Sequence, residues 1–400
     1  MATVTRVREI AVVGGGPSGA ICAERLARAG WQVTVLDERL AWEKPCGGGL
    51  TYKAIERYPF LLDGPEPKKL IRDVVLMASS GQRVRFTLDR PIVIYSRRVL
   101  NGLLLERARC AGAQLVQARV CQVDTSGPRV VLRMAREGHA AGSRTADFVV
   151  LATGARNTLL PETTPLQPTD LEQTLGYYIP VVSDTLVVKF LPRFEGYLWS
   201  FPRPDHLSVG ICGKLTQTTT AVMKRHLHDF LEEQGLPRQG QFYSHVLPSP
   251  VARTLRTRRV VGRNWALVGD AAAWVDPLTG EGLHYAMRSG ELLAEALLAG
   301  APESYPQRVR AEFSADLEFA TRIARRFYRG RFLGGAVTVR MIQFLQRSPA
   351  FRQLMRDLFA GTQNYRSLKR RLWAQLGITF AEIAVSLFRP PGEAAEVRAE

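Results

Sequence analysis

Cysteine is scarce in this chain. Five occur, at positions 22, 46, 110, 121 and 212, with no C-x-x-C pair and no doublet at zinc-ligand spacing. An odd, scattered set of this kind builds no disulfide framework and suits a reducing compartment. Long hydrophobic runs are missing too. No stretch of about 18 uninterrupted apolar residues occurs, so a spanning helix is not expected. The chain enters a strand pattern almost at once, from Glu9, and no signal peptide is apparent. The expected location is cytoplasmic, peripheral to a membrane at most.

Acidic residues are outnumbered. Thirty-seven Asp and Glu stand against 54 Lys and Arg, a formal net charge of +17 over 400 residues. Such a balance favours an anionic partner: nucleic acid, a membrane surface or a phosphorylated small molecule. The remaining composition, 46% apolar and 23% charged, is that of an ordinary globular protein. It excludes a disordered or collagen-like chain, and the length suggests two or three domains.

The apolar run Ile10-Ala11-Val12-Val13 enters Gly14-Gly15-Gly16-Pro17-Ser18-Gly19. A helical pattern follows from Ala20 to Ala29 and stops at Gly30, and Val33 to Leu36 reads as a second strand ending at Asp37. This is a βαβ unit opening a parallel sheet. Val99 to Ala111 is helical by period, while Leu115 to Val123 and Asp147 to Leu151 read as strands. Between about 160 and 255 prolines cluster and alternating strands appear, Thr185 to Phe190 and Leu207 to Ile211, with one helix near Thr219 to Glu233. The α/β pattern returns at Trp265-Ala266-Leu267-Val268 and a helix running to Leu298. Residues 301–400 look mainly helical, and the last ten read as a loose tail.

Two glycine motifs carry the chemistry. Gly14, Gly16 and Gly19 form a G-x-G-x-x-G between strand and helix. The first permits the tight turn, the second lets the backbone approach a pyrophosphate, and the third lets helix and strand pack closely. The helix N-terminus offers free N–H groups to phosphate, and Asp37 is placed to accept bonds from a ribose. The second motif is Val268-Gly269-Asp270-Ala271-Ala272 followed by Pro277-Leu278-Thr279-Gly280-Glu281-Gly282. Asp270 can hold a ribityl hydroxyl. The Gly280–Gly282 turn starts a helix whose positive end could face the flavin pyrimidine edge. Together the two motifs indicate FAD. The absence of a second strand–G-x-G-x-x-G–helix unit implies that the electron donor, NAD(P)H or a redox protein, binds transiently.

Three further segments carry a resemblance: Lys44-Pro45-Cys46-Gly47-Gly48-Gly49-Leu50; Tyr197-Leu198-Trp199-Ser200-Phe201-Pro202 with Val209-Gly210; and Ser96-Arg97-Arg98-Val99-Leu100-Asn101. With the glycine motifs they make the chain resemble the group A flavoproteins, the superfamily of para-hydroxybenzoate hydroxylase. Within it the chain is similar to the geranylgeranyl reductase family, over roughly residues 8–300. The resemblance implies an α/β fold: a Rossmann-like FAD-binding domain of the glutathione reductase and para-hydroxybenzoate hydroxylase type, with an inserted antiparallel-sheet substrate domain and a helical C-terminal region. The expected partition is 1–60, 92–160 and 255–300 for FAD, 61–91 and 161–254 for substrate, and 301–400 for the basic helical region.

The expected FAD-binding residues are Gly14, Gly16, Pro17, Ser18, Gly19, Asp37, Glu38, Arg97, Thr153, Gly154, Gly269, Asp270, Gly280 and Gly282. Gly48, Tyr197, Trp199 and Phe201 are the expected substrate residues, and Cys46 is a flavin-proximal thiol. Tyr197, Trp199 and Phe201 alternate, so on a strand they share one face, a wall suited to an apolar chain. Two departures stand out. The family often has Asp where this chain has Asn101. Many hydroxylases carry an Asp-Gly motif where this chain reads Thr153-Gly154-Ala155-Arg156-Asn157, which counts against NADPH as the direct donor. The halogenases' Trp-x-Trp-x-Ile-Pro motif is absent. His226 and His228 would point apart on a helix, so no metal site is expected.

The positive charge is concentrated. Arg322 to Arg371 holds 13 Lys and Arg and one acid, Asp357, or +12 of the +17. Its arginines interleave with Phe327, Tyr328, Phe332, Leu333, Ile342, Phe344 and Leu345, and Leu372 to Phe388 has an amphipathic helical look. A solvated basic face, an anionic membrane surface and a diphosphate pocket all remain open; nucleic acid is not expected. The reading is an FAD-dependent oxidoreductase that reduces carbon–carbon double bonds of an isoprenoid chain, with hydride from reduced flavin N5. The alternatives are an FAD-dependent monooxygenase of a hydrophobic substrate and a non-catalytic flavin-containing lipid-binding protein. No residue stands out as proton donor.

Overall fold

A computed structural model describes residues 8–136, 139–160 and 162–387. The strand Glu9–Val13 lies at the centre of a five-stranded parallel sheet, flanked by Phe148–Leu151 and Trp265–Leu267 on one side and by Gln32–Asp37 and Gln114–Gln117 on the other. Its apolar run is unbroken because both faces are covered. Helices Pro17–Arg28, Arg97–Cys110 and Leu283–Leu298 pack on one face, and a three-stranded sheet, Arg119–Asp124, Val130–Arg136 and His139–Ala146, lies against the other. The first helix starts at Pro17, three residues before the periodic pattern. Proline's fixed φ suits the first turn, where its missing N–H is not needed.

The stretch Leu115 to Val123, expected as one strand, is divided. Gln114–Gln117 completes the parallel sheet, the Ala118 N–H donates to the Asp37 carbonyl at 3.0 Å, and Arg119–Asp124 continues in the three-stranded sheet. A chain that changes sheets without a turn residue leaves no break in the apolar pattern.

The second sheet has eight strands, in the order Gln241–Pro248, Leu171–Ile179, Leu207–Lys214, Gly196–Pro202, Thr185–Phe190, Lys68–Met77, Arg83–Tyr95 and Gly49–Leu50. Neighbours are antiparallel except Thr185–Phe190 beside Lys68–Met77, where a segment from early in the chain joins one from the middle. Alternation gives this sheet two buried faces. One packs Leu175, Val209 and Ile211 under Leu227, Phe230 and Leu231 of helix Thr220–Glu233. The other packs Ile71, Val74, Phe86 and Leu186 under Ala320, Ile342, Leu345 and Leu354 of the C-terminal helices. Each such fully buried side chain contributes about 1.5–3 kcal/mol.

The C-terminal region is formed by helices Ala315–Arg329, Val337–Arg347, Pro349–Ala360 and Tyr365–Leu387, with a hairpin, Arg331–Phe332 and Gly335–Ala336, between the first two. The last helix begins at Tyr365, seven residues before the expected start, because the Asp316 carboxylate accepts from the Tyr365 and Arg366 N–H groups at 2.9 and 3.1 Å and caps it. Phe388 and the last ten residues lie outside the described residues. Among the described residues no helix is long and apolar enough to cross a membrane.

Candidate active site

The site begins where the central strand ends. Gly14 turns with φ of 107°, and its N–H donates to the Leu36 carbonyl at 2.8 Å. A Cβ at Gly14 would run into the Ala152 carbonyl, and one at Gly19 into the Gly14 carbonyl, so both glycines are required by packing. Gly16 differs: apart from its chain neighbours, nothing among the described residues lies within 4 Å of where its Cβ would be. The space in front of it opens into the cavity, where Pro17 and Ser18 start the helix and present its positive end. Asp37 stands beside this cradle. One carboxylate oxygen accepts from the Gly15 N–H at 2.6 Å, the other from the Arg39 and Leu40 N–H groups at 2.7 and 2.8 Å. Glu38 is exposed, and its side chain does not line the cavity.

Arg97 reaches the same cavity from the helix capped by Ser96. It is 4% exposed; one terminal nitrogen donates to Asn101 Oδ1 at 3.3 Å and its Nε has no partner among the described residues. An unpaired buried donor costs about 1–3 kcal/mol, and Asn101, where the family often has Asp, gives the guanidinium a neutral partner. Thr153 Oγ1 is also buried without a partner among the described residues, and Gly154 lines the cavity. An open glycine, a helix N-terminus and an unpaired arginine donor form a cradle that fits a pyrophosphate-linked cofactor.

At the other end of the cradle Lys44 Nζ donates to Asp270 Oδ2 at 2.9 Å. Burial pushes the Asp270 carboxyl up, but the Lys44 ammonium and its hydrogen bond, helped by Arg97 and His245, hold it below the usual carboxylate range. His245, on the strand Gln241–Pro248, lines the same space. Its pKa is pushed down to about 4, chiefly by burial and then by Lys44. Gly269, with φ of 59°, does not line the cavity; it lets this segment approach Ser18 closely.

The loop from Asp276 to Gly282 is tied down from several directions. Asp276 Oδ1 accepts from the Leu278 and Thr279 N–H groups at 2.8 and 3.2 Å, and its Oδ2 accepts from the Tyr365 hydroxyl at 2.6 Å. The Tyr197 and Tyr328 hydroxyls donate to the Thr279 and Leu278 carbonyls, each at 2.5 Å. Gly280, Glu281 and Gly282 then lead into helix Leu283–Leu298, facing the cavity.

Cys46 lies across the cavity. Its sulfur accepts from the Gly48 N–H at 3.3 Å, and its carbonyl accepts from the fully buried Arg203 at 2.7 Å. It forms no disulfide. The rings of Tyr197, Trp199 and Phe201 follow one another at 5.8 and 6.3 Å and form one wall. Two glycines make room for it: a Cβ at Gly47 would enter the Phe201 ring, and one at Gly210 the Trp199 ring. Tyr197 therefore serves both the wall and the glycine loop.

The cradle and the wall belong to one cavity of about 980 Å³. Beyond the wall it runs between the C-terminal helices, past Phe327, Met341, Phe344 and Leu358, to Phe332 and Trp373, which are 42% and 68% exposed and mark its rim. His226 and His228 are elsewhere, against Phe194 and Tyr177. Sequence reasoning missed His245, Arg203, Glu281 and Tyr365. Only Glu281, between two motif glycines, had a local signal.

Residues 8–181 match the family model described as pyridine nucleotide-disulphide oxidoreductase. The chain is 30% identical over 343 residues to the chloroplastic geranylgeranyl diphosphate reductase of Oryza sativa subsp. japonica, covering 76% of this chain and 71% of that protein. It is 26% identical over 403 residues to digeranylgeranylglycerophospholipid reductase 2 of Methanothermobacter thermautotrophicus, covering 88% and 99%. Among solved structures, a geranylgeranyl bacteriochlorophyll reductase-like protein from Thermoplasma acidophilum superposes with a TM-score of 0.73 at 20% identity, over 92% of this chain and 98% of that one. The chain belongs to the geranylgeranyl reductase family of FAD-dependent oxidoreductases.

Proposed function

We propose that this enzyme saturates carbon–carbon double bonds of a prenyl chain with electrons from FAD. The supporting observation is the single cavity that joins the dinucleotide cradle to an aromatic wall and then to an apolar arm among the C-terminal helices. Gly16, Pro17, Ser18 and Arg97 hold the pyrophosphate region, Asp37 the adenosine ribose, and Asp270 with Lys44 the ribityl end. The Gly280–Gly282 helix start would hold the pyrimidine edge, and Cys46 and Gly48 line the same cavity. When reduced, FAD supplies a hydride equivalent at N5. Tyr197, Trp199 and Phe201 lay the alkene against it and keep water away, which an unactivated double bond needs because orientation must supply most of the rate. The electron donor, NAD(P)H or a redox protein, binds transiently.

The rim of the apolar arm is the docking face for an anionic membrane. Phe332 and Trp373, 42% and 68% exposed, line the cavity with the exposed Arg326, and Leu333, Ile378 and Phe380 on the same C-terminal elements are at least 41% exposed. Exposed apolar side chains in a region of net positive charge match an anionic bilayer, where prenyl lipids also partition.

The test is anaerobic. The bound flavin is photoreduced, geranylgeranyl diphosphate or a prenylated phospholipid is added, and flavin absorbance and product mass are followed. Reoxidation with a product heavier by two hydrogens is expected. Reoxidation that needs oxygen would replace the reading with a monooxygenase, and none with either probe would end it.

A further inference from the structure

Six carboxylates line the cavity: Asp37, Asp270, Asp276, Glu281, Glu312 and Asp316. Five are committed. Asp37 accepts three backbone N–H groups, and Asp270 is paired with Lys44. Asp276 accepts two N–H groups and the Tyr365 hydroxyl. Glu312 is paired with Arg288 at 3.0 Å, and Asp316 caps the last helix. Glu281 is the exception. Its Oε1 accepts from the Thr51 hydroxyl at 2.8 Å, and its Oε2 has no hydrogen-bond partner among the described residues. A neutral hydroxyl partner tolerates a protonated carboxyl, whereas an ammonium holds a carboxylate ionised. Burial also raises the Asp276 carboxyl, against its bonds from Tyr365, Leu278 and Thr279, but both its oxygens are already occupied by those donors.

We propose that Glu281 is the acid that protonates the alkene. The proposal rests on the prenyl-reductase reading and adds the proton donor to it. Glu281 sits between Gly280 and Gly282, at the helix start assigned to the flavin, on the cavity that also carries the aromatic wall. The groups facing it are Lys53 and Thr51 from the segment after the cysteine loop, Asp276 from its own loop, Tyr285 from the following helix and Tyr365 from the last helix. Burial raises its pKa, Thr51 and Lys53 draw it back, Asp276 raises it again, and it settles at about 7. A donor poised there can both give and regain a proton at neutral pH.

The step balances. The Glu281 O–H bond and the alkene π bond break, and one carbon gains that proton. The adjacent carbon gains a hydrogen with two electrons from the reduced flavin, which is oxidised. The product carries two more hydrogens, and Glu281 is left as a carboxylate to be reprotonated from solvent.

The experiment compares wild type with Glu281→Gln and Glu281→Asp, each first shown to hold FAD by its absorbance. Reoxidation of photoreduced wild type by geranylgeranyl diphosphate should slow as pH rises through about 7. Glu281→Gln should be at least about 100-fold slower and flat with pH, and Glu281→Asp should recover part of the rate and its pH dependence. Independently of turnover, infrared titration of the oxidised holoenzyme should show a protonated-carboxyl band lost near neutral pH, and Glu281→Gln should lack it. Reoxidation of Glu281→Gln at a rate close to wild type, or a band that survives the substitution, overturns the proposal. If wild type itself is not reoxidised, the prenyl-reductase reading fails first and takes this proposal with it.

Discussion

Gly14 and Gly16 stand two residues apart and answer to different demands. A side chain at Gly14 meets the Ala152 carbonyl and must also accept a φ of 107°. A Cβ at Gly16 meets, apart from its chain neighbours, nothing within 4 Å among the described residues. Gly14→Ala should therefore lower the melting temperature or abolish folding, as strained positions of this kind cost about 1–3 kcal/mol before any clash. Gly16→Ala should fold normally and lose FAD affinity by at least about tenfold, or roughly 1.4 kcal/mol. Thermal melts of the apoproteins and flavin titration separate the two; equal flavin affinity in Gly16→Ala and wild type would remove the pyrophosphate assignment. Both glycines were legible in the sequence because their spacing is local. The hydroxyl of Tyr197 was not. Alternation placed its ring in the aromatic wall, but its bond to the Thr279 carbonyl spans 82 residues and has no local pattern. His245 was hidden for the same reason: a lone histidine on a strand becomes part of the site only when Lys44 and Asp270 are folded against it.

The element on which these contacts converge is the loop from Asp276 to Gly282. Tyr197 comes to it from the eight-stranded sheet, and Tyr328 and Tyr365 from two C-terminal helices. The loop's glycines were readable as a helix start, but the three tyrosines that set its position were not, since each lies on an element with its own amphipathic explanation. The helix beginning at Tyr365 makes the point again: its apolar residues suggested a start near Leu372, and its actual N-terminus is decided by Asp316, 49 residues away. Tyr365→Phe should leave the buried Asp276 oxygen without its donor, at a cost of about 1–3 kcal/mol. The expected outcome is an intact fold with weaker FAD binding, read by flavin titration and by fluorescence of the bound flavin. Unchanged flavin affinity would show that the Tyr365 bond does not position the loop.

At the scale of the whole molecule, the exposed Phe332, Trp373 and Arg326 all line the cavity. Phe344 lines it too, with ring contacts to Phe332 of the hairpin at 6.2 Å and to Phe380 of the last helix at 6.1 Å. Arg325→Glu combined with Leu333→Ser should weaken binding to anionic vesicles by about tenfold or more, given about 1 kcal/mol for each basic residue near such a surface. Bound FAD should be unaffected. Sedimentation with vesicles of anionic and of neutral lipid tests this, and undiminished binding to the anionic set would remove the docking face. The proposed membrane docking has a kinetic consequence. A prenyl chain that passes from bilayer to cavity through a greasy edge is never solvated, which avoids about 0.8 kcal/mol for every methylene otherwise exposed to water. The quantity that saturates such an enzyme is then the mole fraction of substrate in the lipid film. Diluting the substrate with inert lipid should slow turnover even while its bulk concentration is held constant.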